Sequence, residues 1–183
     1  VDAMYAEQEK AKKDAGMSLR PDWTGVELPA GPDAFKIRLA HLPPVAQYNT
    51  GMCWAFSATS FMESEVIRLT KRNVKLSELW LVYWEYVEKV RRWVREYGHS
   101  EVEEGSQGDA VLDIYAKYGT VPGEIYTGVL FADGRHDHTV LMDELKSWLK
   151  WAADNGVWEE QRVVDGARAI LDKHLGRPPE TFS

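Results

Sequence analysis

The residues with the most chemical potential lie in one stretch, Gln47-Tyr48-Asn49-Thr50-Gly51-Met52-Cys53-Trp54-Ala55-Phe56-Ser57. Cys53 is the single cysteine of the chain, and it follows a glycine-containing loop at the start of an apolar run with helical spacing. A thiol at a helix start meets unpaired N–H groups and the positive end of the macrodipole, and both favour a thiolate. In a helix middle the same residue is a small hydrophobe. Gln47 stands six positions earlier and can fold back across the loop, bringing its side-chain amide near the sulfur. With the Cys53 N–H, that amide makes the donor pair a tetrahedral oxyanion requires. On these residues alone, Cys53 reads either as a nucleophile or as a buried inert thiol.

The elements that position this stretch are mostly helical. Trp54, Ala55, Ala58, Phe61, Met62, Val66 and Leu69 predict a helix apolar over more than half its circumference, central in a core. Ser77 is an N-cap for a second helix, Glu78 to Tyr97, closed by Gly98. The first half of that helix is apolar all round and its second half is charged, so it is expected to start buried and end in solvent or at a subunit contact. Asp109 caps a third helix, Ala110 to Tyr118, that Gly119 ends. Asp137 or Thr139 caps a fourth, stopped by Asn155-Gly156, and a fifth runs from about Trp158 to Leu175. Before these, residues 1–44 are loose, punctuated by Gly16, Pro21, Gly25, Pro29, Gly31 and Pro32. Within them, Phe35, Ile37 and Leu39 alternate with polar or small residues and predict one short strand.

Gln47, five intervening residues and then Cys53-Trp54-Ala55-Phe56-Ser57 form a pattern similar to the active-site signature of papain-like cysteine peptidases. Leu76-Ser77-Glu78-Leu79-Trp80-Leu81-Val82-Tyr83 resembles the segment after that family's central helix. Gly105-Ser106-Gln107-Gly108-Asp109 and Lys117-Tyr118-Gly119-Thr120-Val121-Pro122 resemble the following loop and helix. The Thr50-Gly51-Met52 triplet, the long charged helix and the Pro178-Pro179-Glu180-Thr181-Phe182 tail point to the bleomycin hydrolase and aminopeptidase C branch. The resemblance runs from about Leu42 to Phe182.

It implies an α+β papain-like cysteine proteinase fold, of which this chain is mainly the helical half, built around the helix starting at Cys53. Residues 1–44 would be an extended N-terminal segment, 45–176 the helical domain and 177–183 a linker into a second half. Cys53 would be the nucleophile and Gln47 the oxyanion donor. Trp54 would pack beside the nucleophile at the substrate-binding wall, and Gly105 and Ser106 would line the cleft and pair with the substrate backbone. Ser106 stands where the family usually has glycine, so its side chain would alter substrate choice. Thr50 stands where secreted members have a disulfide-bonded cysteine, which fits a reducing cytoplasm, the alternatives being a bacterial periplasm or secretion after signal removal.

The implied reaction is hydrolysis of peptide bonds through an acyl-enzyme, with aminopeptidase and endopeptidase action both open, no cofactor and no metal. In this family the His and Asn that complete the site follow the cysteine by roughly 130–150 residues. That interval places them beyond Ser183, in a C-terminal half or a second chain. His138-Thr139-Val140 imitates the family's His-Ala-Val, with Asn155 following, but the intervening residues read as helix, so His138 is expected at a loop or helix start. The His136 and His138 pair lacks a third ligand for a metal. Adjacent acids such as Glu103-Glu104 and Glu159-Glu160 read as solvated faces, and the eight tryptophans as core and interface.

Composition sets the outer bounds. With 183 residues the chain is sized for one ordinary domain, and 44% hydrophobic with 28% charged residues is a globular balance. A net charge of -7 disfavours a nucleic-acid partner. No apolar run reaches the roughly 18 residues a membrane span needs. Peptide substrates and a homo-oligomer built on the long charged helix are the expected partners. The alternative is a catalytically silent papain-like binding or scaffold module that keeps the cleft.

Overall fold

The computed structural model describes Glu7, Lys10 and residues 21–129 and 134–181. Gly16 and the Phe182-Ser183 end, both used above, lie outside the described residues. The chain divides into two compact units, residues 1–38 and 39–183. In the first, a short 3-10 turn spans Pro32–Ala34. The expected strand at 35–39 does not form, and Phe35, Ile37 and Leu39 stand exposed. Alternation supplies a two-faced segment, but a strand also needs a neighbour's backbone to pair with. The β-pairing among the described residues is limited to isolated bridges, Asn49 with Asp137 and Leu76 with Pro122.

The second unit holds five α-helices among its described residues. They are α1 (Cys53–Thr70), α2 (Glu78–Arg95), α3 (Gly108–Tyr118), α4 (Thr139–Asp154) and α5 (Glu160–Leu175). Ser77 caps α2 as expected: its hydroxyl oxygen accepts the Trp80 N–H at 3.0 Å and its O–H donates to the Tyr126 carbonyl at 2.6 Å. The end of α2 falls two residues before Tyr97, because Tyr97 takes a left-handed φ of 50°. Gly98 N–H then reaches the Trp93 carbonyl at 2.8 Å and Tyr97 N–H the Val94 carbonyl at 3.1 Å, a Schellman closure. Gly156 closes α4 in the same way, with φ 65° and the Val157 N–H on the Ala152 carbonyl at 2.8 Å.

Burial is deepest on α2. Its apolar positions from Leu79 to Val94 are enclosed by α1 and α3 on one side and α5 on another, with α4 packed on α5. The charged half of α2 is exposed at Arg92 and Arg95, as expected, but only in part. Lys89 is buried, and Arg91 and Arg95 both grip Glu160 of α5. By contrast α1, expected to be apolar over more than half its circumference and central in the core, buries Trp54, Ala55, Thr59 and Glu63 along one stripe. Phe61 and Leu69 on its other faces are 62% and 68% exposed. No helix among the described residues is long and apolar enough to cross a membrane.

Candidate active site

Cys53 occupies the first turn of α1 with its side chain exposed. The helix opens at Met52, whose carbonyl accepts the Ala55 and Phe56 N–H groups at 3.0 and 3.1 Å. The Cys53 N–H belongs to the first turn and has no acceptor within the helix. The preceding loop closes on itself. Gln47 donates its side-chain amide to the Thr50 carbonyl at 2.6 Å, and the Thr50 hydroxyl donates to the Gln47 carbonyl at 2.7 Å. Tyr48 turns the chain inside this clasp with a φ of 52°. One amide N–H of Gln47 is thereby spent on the loop, and the geometry of a primary amide leaves the second for another acceptor.

Gln47 and Cys53 line the same crevice, about 280 Å³ in volume, with Phe56, Ser57 and Ser60 of α1. A charge cluster of Glu63, Lys75 and Glu78 also lines it. Glu63 accepts the Lys75 ammonium at 2.8 Å and the Leu76 N–H at 2.9 Å, and Lys75 also pairs with Glu78. Lys75 is held above its ordinary pKa; burial works against its charge, and the two carboxylates outweigh that.

Trp54 points away from the crevice. It is buried, and its indole N–H donates to the Glu104 carbonyl at 2.9 Å. Gly105 and Ser106 do not share the crevice with Cys53. They line a separate cleft of about 820 Å³ between α2, α3 and the connecting loop. The Ser106 hydroxyl donates to Glu85 of α2 at 2.6 Å, so its side chain is tied to that helix. Burial pushes the Glu85 carboxyl up and the Lys89 ammonium down. Lys89 donates to the Glu103 carbonyl at 2.6 Å and to that of Gly105.

No histidine lines the crevice. His138 is the N-cap residue of α4, its carbonyl accepting Met142 N–H at 2.9 Å, while the neighbouring Asp137 carboxylate accepts the Thr139 N–H. This is the helix-start position read from the sequence. The His138 ring is buried, with Nδ1 3.4 Å from the Tyr86 hydroxyl and 4.0 Å from Glu104 Oε2, and its pKa is lowered to about 4 by burial and the nearby His136. His136 stacks its edge against Phe56, and burial lowers its pKa as well.

Sequence reasoning missed Glu104. It read Glu103-Glu104 as a solvated pair, which fits Glu103, exposed and bridged to Lys146 at 2.7 Å. Glu104 instead turns inward and accepts the Gly51 N–H. The partner is 53 residues away, so no local pattern announces it; the available signal was the glycine at 51, beside which another chain can approach closely.

A solved structure shares the fold of this bundle. PepW from Lactobacillus rhamnosis superposes with a TM-score of 0.56 at 21% identity, over 81% of this chain and 39% of that one. The fold is therefore the helical half of a papain-like peptidase. The Peptidase C1-like family matches residues 29–183, and the chain belongs to that family. Among curated relatives, aminopeptidase C of Lactococcus lactis is 27% identical over 81% of this chain and 39% of its own length. Bleomycin hydrolase of Gallus gallus is 22% identical over 76% of this chain and 37% of its own. The chain thus spans about two-fifths of the length of the relatives it matches.

Proposed function

We propose that this chain supplies the nucleophile and the oxyanion donors of a cysteine peptidase acting on peptide amide bonds. The observation that carries the reading is the shared crevice: an exposed Cys53 at the start of α1 and Gln47 line it together, the Gln47 amide tied into a closed loop. In the reaction, the Cys53 thiolate attacks the carbonyl carbon and the C=O pair moves onto oxygen. The oxyanion rests between the free Gln47 N–H and the Cys53 N–H. Collapse expels the amine, which leaves with a proton from an imidazole, and water then hydrolyses the thioester.

The imidazole and its orienting amide come from outside residues 1–183, from a continuation or a separate polypeptide. Three features support this. Among the described residues, no histidine lines the crevice. Phe61 and Leu69 leave apolar area on α1 for a second body to cover. The relatives are more than twice as long as the matched region. The name aminopeptidase C among them favours substrates with a free N-terminus.

Native full-length protein assayed on a peptide amide tests the reading. Cys53→Ala abolishes turnover, and Gln47→Ala lowers kcat by about 10²–10³, the usual loss for one oxyanion donor. Blocking the substrate's amino group abolishes cleavage if the enzyme trims chain ends. Hydrolysis that survives Cys53→Ala refutes the assignment. So does a Cys53 that iodoacetamide labels at pH 6 no faster than free cysteine, which is the behaviour of a silent module.

A further inference from the structure

Glu104 touches both the loop that carries Gln47 and the start of the nucleophile's helix. Its carboxylate accepts the Gly51 N–H, and its backbone carbonyl accepts the Trp54 indole N–H at 2.9 Å. The two contacts bracket Cys53 in sequence. The approach at Gly51 is so close that a Cβ built there would lie 2.8 Å from Glu104 Cβ and 3.5 Å from its Oε2. Glycine at 51 is what admits the carboxylate.

Glu104 is itself braced from behind. Lys89 of α2 holds the carbonyls on either side of it, those of Glu103 and Gly105, and Glu85 of α2 accepts the Ser106 hydroxyl. Each of residues 103–106 is thus tied to α1, α2 or the 47–51 loop. A second tether acts on the same loop from α4's leading segment, the Asn49 amide donating to Asp137 at 3.3 Å.

From this geometry we infer that Glu104 is a positioning residue for the proposed hydrolysis: it locks the 47–51 loop so that the Gln47 amide and the Cys53 N–H converge on one oxyanion. The inference rests on Cys53 being the nucleophile. Its consequence is kinetic, because a donor displaced by about 1 Å loses on the order of 10²-fold in rate without weakening ground-state binding.

The test compares Glu104→Ala, Glu104→Gln, Gly51→Ala and the Gly51→Ala/Glu104→Ala double variant in the native full-length protein. Three quantities are measured: kcat and KM on a peptide amide, amide hydrogen exchange of the 47–53 segment, and thermal midpoint. Glu104→Ala should lower kcat by about 10- to 100-fold with KM within about twofold, and should speed exchange of 47–53 by about tenfold or more. Glu104→Gln keeps an oxygen that accepts the Gly51 N–H and should retain kcat within about threefold of wild type. Gly51→Ala should reproduce Glu104→Ala, and the double variant should lose no more than the worse single one, because both break one contact.

Wild-type kcat and unchanged exchange in Glu104→Ala overturn the inference, as does a kcat loss that Glu104→Gln fails to rescue. If the wild-type protein shows no Cys53-dependent hydrolysis, it is the peptidase reading that fails. Exchange of 47–53 then decides by itself whether Glu104 holds the loop: faster in Glu104→Ala supports it, unchanged refutes it.

Discussion

Gly166→Ala sets two physical effects against each other, and the packing of α4 on α5 decides the sign. Alanine is the better helix former, by about 1 kcal/mol over glycine in a helix interior, so propensity alone makes the variant more stable. The structure opposes this. A Cβ at 166 would lie 2.2 Å from Cζ2 and 2.4 Å from Cε2 of Trp148, whereas carbon atoms rest at about 3.5–4.0 Å. The indole must therefore retreat by roughly 1.3 Å. It is poorly placed to do so, since its N–H donates to the Val163 carbonyl at 2.9 Å and its ring stacks on Trp151 at 5.0 Å and 14°. Overpacking costs about 1–3 kcal/mol and a lost hydrogen bond about 1 kcal/mol. After the helix gain, the net destabilisation is about 1–3 kcal/mol, a Tm drop of about 3–10 °C for a chain of this size. Urea and thermal unfolding followed by circular dichroism read it directly. In a Trp148→Ala background the obstruction is gone, and the same substitution should stabilise by about 1 kcal/mol. A Gly166→Ala variant as stable as wild type refutes the packing argument.

Two further perturbations probe the elements around the site. His138 is neutral in the folded chain, with a pKa of about 4 against an ordinary 6.5. Between those values the unfolded chain takes up a proton that the folded chain refuses. Stability therefore falls as pH drops through that window, by about 2 kcal/mol from pH 7 to pH 5 on account of this ring. His138→Gln should flatten that part of the urea-midpoint profile, and an unchanged slope refutes the assignment. Ser77→Ala removes both the cap on Trp80 N–H and the bond to the Tyr126 carbonyl. It should cost about 2 kcal/mol in equilibrium unfolding, and a loss below about 0.5 kcal/mol shows the cap to be dispensable.

What could be read in advance followed from how local each determinant is. Helix stops at Gly98, Gly119 and Gly156 were legible because a positive φ at a helix end is a backbone requirement that glycine advertises. The cap at Ser77, and the placement of Cys53 at a helix start with Gln47 in the loop before it, were legible for the same reason. The expected cap at Asp109 is not formed: α3 starts at Gly108 with Gln107 as its N-cap residue, and Asp109 sits in the first turn. Long-range polar partners were not legible. Lys89 and Glu85 look like surface charges in a helical pattern, yet they are buried because a loop folded over α2 presents carbonyls and a hydroxyl to them. Nor does periodicity show which apolar stripe of α1 will be covered, since that depends on neighbours contributed by distant sequence.

The solitary cysteine has a practical corollary. Its thiol is exposed and residues 1–183 hold no other sulfhydryl, so within this stretch a maleimide dye attaches at one defined position. The fluorophore then stands at the threshold of the crevice, where emission changes report anything that seats there. Labelled fraction counts intact thiols per preparation, and protection from labelling ranks candidate ligands before a turnover assay exists.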